Sequence, residues 1–126
     1  IFIFDMKTRY FYEKILGNHV VAENRDKASF IWENEFDTET NLHRSLLTIY
    51  QCEDSAPIDE EVYYRSEEIH VQKAYALEEV IDCIQQAGME YVAAYDVQTQ
   101  EVPGDHSERI YIIARECFQK GKYYAD

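Results

Sequence analysis

The stretch VYYRSEEIHVQKAYALEEVIDCIQQAG, Val62 to Gly88, changes its period halfway along. From Val62 to Ala74 the residues alternate as in a strand. Tyr64, Ser66, Glu68, His70 and Gln72 fall on one polar face, while Tyr63, Ile69, Val71 and Tyr75 make the other partly apolar. From Leu77 the period becomes helical. Leu77, Val80, Ile81, Ile84 and Ala87 repeat at helical spacing, Glu78 and Glu79 suit the first turn, and Gly88 supplies the stop. A long strand feeding a helix therefore separates an all-β middle from an ending of another kind.

Working outward from that junction, Ser29 to Phe36 reads as a strand with Phe30, Trp32 and Phe36 on one side. Asp37 to Asn41 forms a turn, and Leu42 to Tyr50 is rich enough in β-formers to be the return strand. A polar loop with Pro57, Glu53 to Glu61, leads into the strand above, giving an antiparallel meander of three strands. On the other side, Met89 to Val97 and Arg109 to Arg115 are strands joined by a polar turn holding Pro103-Gly104. The first residues, IFIFD, run four apolar side chains into Asp5, as a buried strand does where it meets a rim. Thr8 to Leu16 follows as a short helix with Phe11, Ile15 and Leu16 on one side, ended by Gly17-Asn18. The tail from Phe118 to Asp126 is polar. The fold class is α+β with a partial α/β character, divided as 1–18, 19–75, 76–117 and a tail 118–126.

The chain has 126 residues, enough for one domain. Its 12 basic against 25 acidic residues give a net charge of −13, which repels a phosphate backbone, so nucleic acid is not an expected partner. No window approaches the roughly 20 apolar residues of a membrane span and no cleavable leader is visible. The expectation is a cytoplasmic protein with no membrane partner. Cys52, Cys83 and Cys117 show no CxxC spacing and read as reduced thiols, with Cys83 in the packing of the helix. His19, His43 and His106 lie in or near turns without a second ligand at a metal spacing, so no metal is expected.

The order of elements resembles the C-terminal half of a class I S-adenosylmethionine-dependent methyltransferase of the small-molecule kind. The resemblance rests on FIFDMKT (Phe2 to Thr8), FIWENEFD (Phe30 to Asp37), RSEEIHVQKAYALEEV (Arg65 to Val80), AGMEYVAAYD (Ala87 to Asp96) and SERIYIIARE (Ser107 to Glu116). It implies that the chain carries the fifth strand of a Rossmann-like sheet, an inserted antiparallel meander on the acceptor or dimerisation side, and the helix and hairpin that close the sheet. The family's cofactor half, with its Gly-rich turn after the first strand, has no counterpart among the four glycines. The resemblance thus implies S-adenosylmethionine as cofactor of an intact enzyme and none bound by this chain alone. A chain opening on a core strand reads as the remainder of something longer.

Within that resemblance the residues of interest lie on the acceptor side. Glu68 and His70 are neighbours on one strand face, where a carboxylate can orient an imidazole as a proton acceptor. The residues alone favour a solvated outer face, whereas the resemblance favours an acceptor pocket. Asp5 is either a rim carboxylate or a helix cap. Lys7, Thr8 and Tyr10 follow it on the same rim; Trp32 is either a sheet-packing aromatic or a pocket wall, and Tyr64 is a candidate acceptor contact. Asp5, Lys7, Tyr10, Trp32 and Tyr64 are thus the candidate contacts to a small-molecule methyl acceptor, and Glu68 and His70 the candidate catalytic pair. The other reading is a non-enzymatic β-sheet module for dimerisation or ligand binding. Free sheet edges favour self-association in either case.

Overall fold

Along the chain come β1 (Phe2–Lys7), a helical segment (Phe11–Leu16), β2 (Val20–Asn24), β3 (Ala28–Asp37), β4 (Leu42–Cys52), β5 (Tyr63–Lys73), α1 (Leu77–Gln86), β6 (Met89–Asp96) and β7 (Arg109–Glu116). The computed structural model describes residues 1–123, so the last three residues of the polar tail lie outside the described part. The chain divides into two units. One holds residues 1–11 and everything from Tyr75 onward, and the other Tyr12–Ala74.

In the first unit β7 is the central strand of a three-stranded sheet ordered β1-β7-β6, antiparallel to both neighbours. Ile110, Ile112 and Ala114 alternate onto one face of β7 and bury there with Ala94 and Ile84 of α1. Phe4, Met6, Leu77, Val80, Met89 and Tyr91 pack against them. The face expected for α1 is the one that packs, except that Ala87 and Cys83 are exposed. Ala87 caps the helix instead of lying within it, and Cys83 is turned away from the core. At the N-terminal end the Glu79 carboxylate accepts the Ala76 N–H at 2.9 Å, satisfying one of the open donors. Gly88, at φ +75°, turns the chain into β6.

The expectation for the first strand needs correction. It does not end at Asp5 but runs through it to Lys7, which pairs with Arg109. Nor is it buried throughout, since Phe2 is 52% and Ile3 60% exposed. Asp5 is not a helix cap either. Thr8 has that role, its Oγ1 accepting the Phe11 N–H at 3.2 Å and donating to the Ser107 carbonyl.

The helical segment is wound wider than an α-helix. The Gly17 N–H reaches back five residues to the Tyr12 carbonyl at 2.9 Å. That winding shifts the inward face from the expected Phe11, Ile15 and Leu16 to Tyr12 and Leu16, and Ile15 is exposed. Gly17 ends the segment at φ +50°, where a Cβ would come within 3.2 Å of the Glu13 carbonyl oxygen.

The second unit is an antiparallel sheet of four strands, β2-β3-β4-β5, where three were expected. The additional strand, β2, is an edge whose five residues are all exposed, so no alternation announces it. Register fixes two faces. One carries Phe30, Trp32, Asn34 and Phe36 from β3, His43, Ser45, Leu47 and Ile49 from β4, and Ser66, Glu68, His70 and Gln72 from β5. His43 lies in the return strand, next to the turn as expected, and is 2% exposed. Among the described residues no helix is long and apolar enough to cross a membrane, and no cluster of three metal-ligating side chains occurs.

Candidate functional site

The inner face of the β2–β5 sheet is covered at one end. Tyr12 stacks on Phe36 at 6.4 Å between ring centroids and lies tilted against His43 at 5.0 Å, and its hydroxyl donates to Gln72 Oε1 at 3.2 Å. Beneath it, His43 Nε2 and Asn34 Oδ1 are 2.9 Å apart. Asn34 Nδ2 in turn donates to the carbonyls of His19 and Trp32. The asparagine oxygen can only accept, so His43 carries its hydrogen on Nε2. Buried polar groups that close on one another in this way fix the register of β3 against β4.

Toward the other end of the same face the cover stops. Ala28, Phe30, Trp32, Leu47 and Ile49 floor an open hollow of about 460 Å³, with Ser29 and Arg25 at its margin. Arg25 is held by Glu23 at 2.5 Å, which raises the guanidinium pKa further through that hydrogen bond and charge. One strand over from the floor, Glu68 stands opposite Leu47, and Leu47 stands opposite Trp32. His70 Nε2 lies 3.1 Å from Glu68 Oε2, with both side chains just over half exposed. The ring nitrogen facing a carboxylate is the one that bears hydrogen, which leaves Nδ1 as the basic position. Tyr64 is on this face too, across β4 from Ala28 through Gln51. A hydrogen bond to Glu53 and that residue's charge push its phenol pKa up.

The expected residues therefore fall into two groups. Trp32, Tyr64, Glu68 and His70 share one face of one sheet. Asp5, Lys7 and Tyr10 belong to the other unit. There Asp5 pairs with Arg109 at 3.3 Å, and Lys7 Nζ sits 4.9 Å from the centre of the Phe11 ring. Tyr10 meets His106 edge to face at 5.1 Å. Lys7, Phe11, Val97, Gln98, Glu108 and Arg109 line a smaller hollow of about 240 Å³. Sequence reasoning missed Leu47 and Ile49 as floor residues, because only the strand register shows that they flank Trp32 and Phe30. It also missed Asn34 and His43. The one available signal was their period-two spacing from Phe36 and Ser45, which puts both on the inward face.

No protein-family model matches the chain, and no curated protein is recognisably similar to it in sequence. Solved structures do share its fold. A S-adenosylmethionine-dependent methyltransferase from Clostridium acetobutylicum ATCC 824 superposes with a TM-score of 0.74 at 23% identity, over 91% of this chain and 44% of that one. The CcbJ methyltransferase from Streptomyces caelestis gives a TM-score of 0.65 at 13% identity, over 92% of this chain and 46% of that one. The fold is thus one found in S-adenosylmethionine-dependent methyltransferases, and the chain spans less than half the length of either structure.

The described residues do not provide a cradle for that cofactor. Close approach of backbone to a nucleoside needs a glycine turn between a strand and the helix after it. The connection from β5 to α1 is Ala74-Tyr75-Ala76, and that from β1 to the helical segment is Thr8-Arg9-Tyr10. Gly17, Gly88, Gly104 and Gly121 all lie elsewhere.

Proposed function

We propose that this chain forms the acceptor-side part of an S-adenosylmethionine-dependent methyltransferase acting on a small-molecule amine or hydroxyl. The supporting observation is a fold of methyltransferase type whose sheet face joins an apolar hollow to a carboxylate–imidazole pair. The hollow holds the body of the acceptor. Glu68 fixes the imidazole of His70, and His70 Nδ1 takes the proton that the acceptor gives up. The methyl donor is held by residues outside this chain, and the free edge of β1, with Phe2 and Ile3 exposed, is a place for such a part to pair. The same free edge is the observation that favours the second reading, a non-enzymatic association module.

Methyl transfer by the protein containing this chain, followed with labelled S-adenosylmethionine and a panel of small amines and alcohols, tests the proposal. His70→Ala is expected to lower kcat about 100-fold or more, with partial rescue by added imidazole. Turnover insensitive to His70 would overturn the role of the pair. Absence of methyl transfer to every acceptor would leave the association module.

A further inference from the structure

Resting on that reading, we infer that the hollow on the β2–β5 sheet takes an amine, not a hydroxyl or a carboxylate. Its ligand carries a compact apolar body against Trp32, Phe30, Leu47 and Ile49 and directs an ammonium group toward Glu68. Three observations lead there.

The floor is apolar and aromatic, and a volume of about 460 Å³ falls within the roughly 300–1,000 Å³ of small-molecule sites. An apolar body is what such a floor takes out of water.

The charges around the hollow are asymmetric. Arg25, the cation at its margin, is occupied by Glu23 at 2.5 Å. Lys27 is occupied by Asp54 at 2.7 Å, and Arg65 projects from the opposite face of β5, beside Glu67. Glu68 is different, because its partner is an imidazole and not a permanent cation. The charge facing a ligand from β5 is therefore a carboxylate, on a chain whose net charge is already −13. A carboxylate ligand is repelled by both. A hydroxyl gains a hydrogen bond to the carboxylate but no ion pair, whereas an ammonium gains both.

The aromatic floor has the same preference. The faces of Trp32 and Phe30 carry negative quadrupole potential, which attracts a cation within about 6 Å and offers a neutral hydroxyl nothing comparable. Ammonium character and proton removal are compatible. An alkylamine with a pKa near ~10 arrives as a cation, and the Glu68–His70 pair is placed to take up the proton it must lose before it becomes a nucleophile.

Trp32 is the chain's one tryptophan, so its fluorescence reports on this hollow alone. Cyclohexylmethylamine, cyclohexylmethanol and cyclohexanecarboxylate share one apolar body and differ in the head group, and none of them absorbs with the indole. Titrated into the 126-residue chain at neutral pH, the amine is expected to shift Trp32 emission and bind about tenfold more tightly than the alcohol, with the carboxylate weakest. Glu68→Gln is expected to remove that advantage, weakening the alcohol far less than the amine. Equal affinity for amine and alcohol, an amine preference that survives Glu68→Gln, or no response to any of the three overturns the inference. Neither methyl donor nor turnover enters the measurement. Amine binding would stand if the methyltransferase reading failed, and a methylated hydroxyl acceptor would sink the amine assignment while leaving the methyltransferase reading intact.

Discussion

At one end of the inner face of the β2–β5 sheet, Phe36, Asn34, His43 and Gln72 lie against Tyr12 or the groups it touches. At the other, Phe30, Trp32, Leu47 and Ile49 surround an open hollow. The strands, the alternation and the register are the same. What differs is the kind of side chain. The covered end is where the buried polar side chains are, with Asn34, His43 and Gln72 each in a hydrogen bond. The open end is where the large apolar groups are, without a matching cover. Folding alone would favour the reverse, because apolar area gains most from being covered and polar groups lose least in water. The arrangement makes sense if the covered end sets geometry and the open end keeps its apolar area for a ligand.

Truncation should separate the two ends by the size of the effect. Phe36→Ala removes a buried ring beneath Tyr12 and is expected to cost about 4 kcal/mol of stability. Trp32→Ala removes a larger ring from a half-covered position and is expected to cost no more than about half of that, while abolishing the fluorescence and the binding it reports. Denaturant unfolding followed by far-ultraviolet circular dichroism measures both. Equal losses would mean that the open end is ordinary core, and the distinction between the ends would fail.

The polar contacts should differ in the same sense, by a smaller margin. Asn34→Ala leaves buried His43 Nε2 without its acceptor and is expected to cost about 2 kcal/mol. Glu68→Gln at the exposed pair is expected to stay within about 0.5 kcal/mol, with its consequence confined to ligand binding. A double substitution of Asn34 and His43 that costs less than the sum of the single ones would show that the two act as a unit.

How much of this could be read from the chain depends on which physical rule carries each feature. Period two places Glu68 beside His70 and Trp32 in line with Phe30 and Phe36, and those placements hold in the structure. Helical periodicity gives α1 with its buried Ile84. What local rules do not carry is pairing. Trp32 and Leu47 are fifteen positions apart and become neighbours only once the β3–β4 register is set. Nothing in either segment alone shows that they share a floor with Glu68 on their flank. Strand β2 lacks the alternation that would announce it, because no face of it is buried. In the helical segment a 3.6-residue wheel put Ile15 inside, whereas the hydrogen bond from Gly17 to Tyr12 widens the turn and brings Tyr12 in. Tyr12 is the residue that divides the sheet face into its two ends, so the feature that defines the site depends on a non-standard turn.

The smallest effect lies at the margin of the open end and depends on pH. Tyr64 shares the face with Glu68, and its hydroxyl is held by Glu53, at the start of the loop that joins β4 to β5. The hydrogen bond and the negative charge both favour the neutral phenol, so its pKa in the folded chain is above the ordinary value. A raised pKa contributes stability that is fully present below the ordinary phenol range and is lost as pH rises through the raised value. Glu53→Gln keeps a hydrogen-bond acceptor and removes the charge, so the phenol should titrate earlier, visible in alkaline absorbance as a shift of the component that Tyr64→Phe deletes. Stability near neutrality should hardly change, because the Tyr64 phenol is exposed and stays neutral there. If the component does not move, the loop is not tied to β5 through this contact, and the rim of the hollow beside Tyr64 is set by the strand alone.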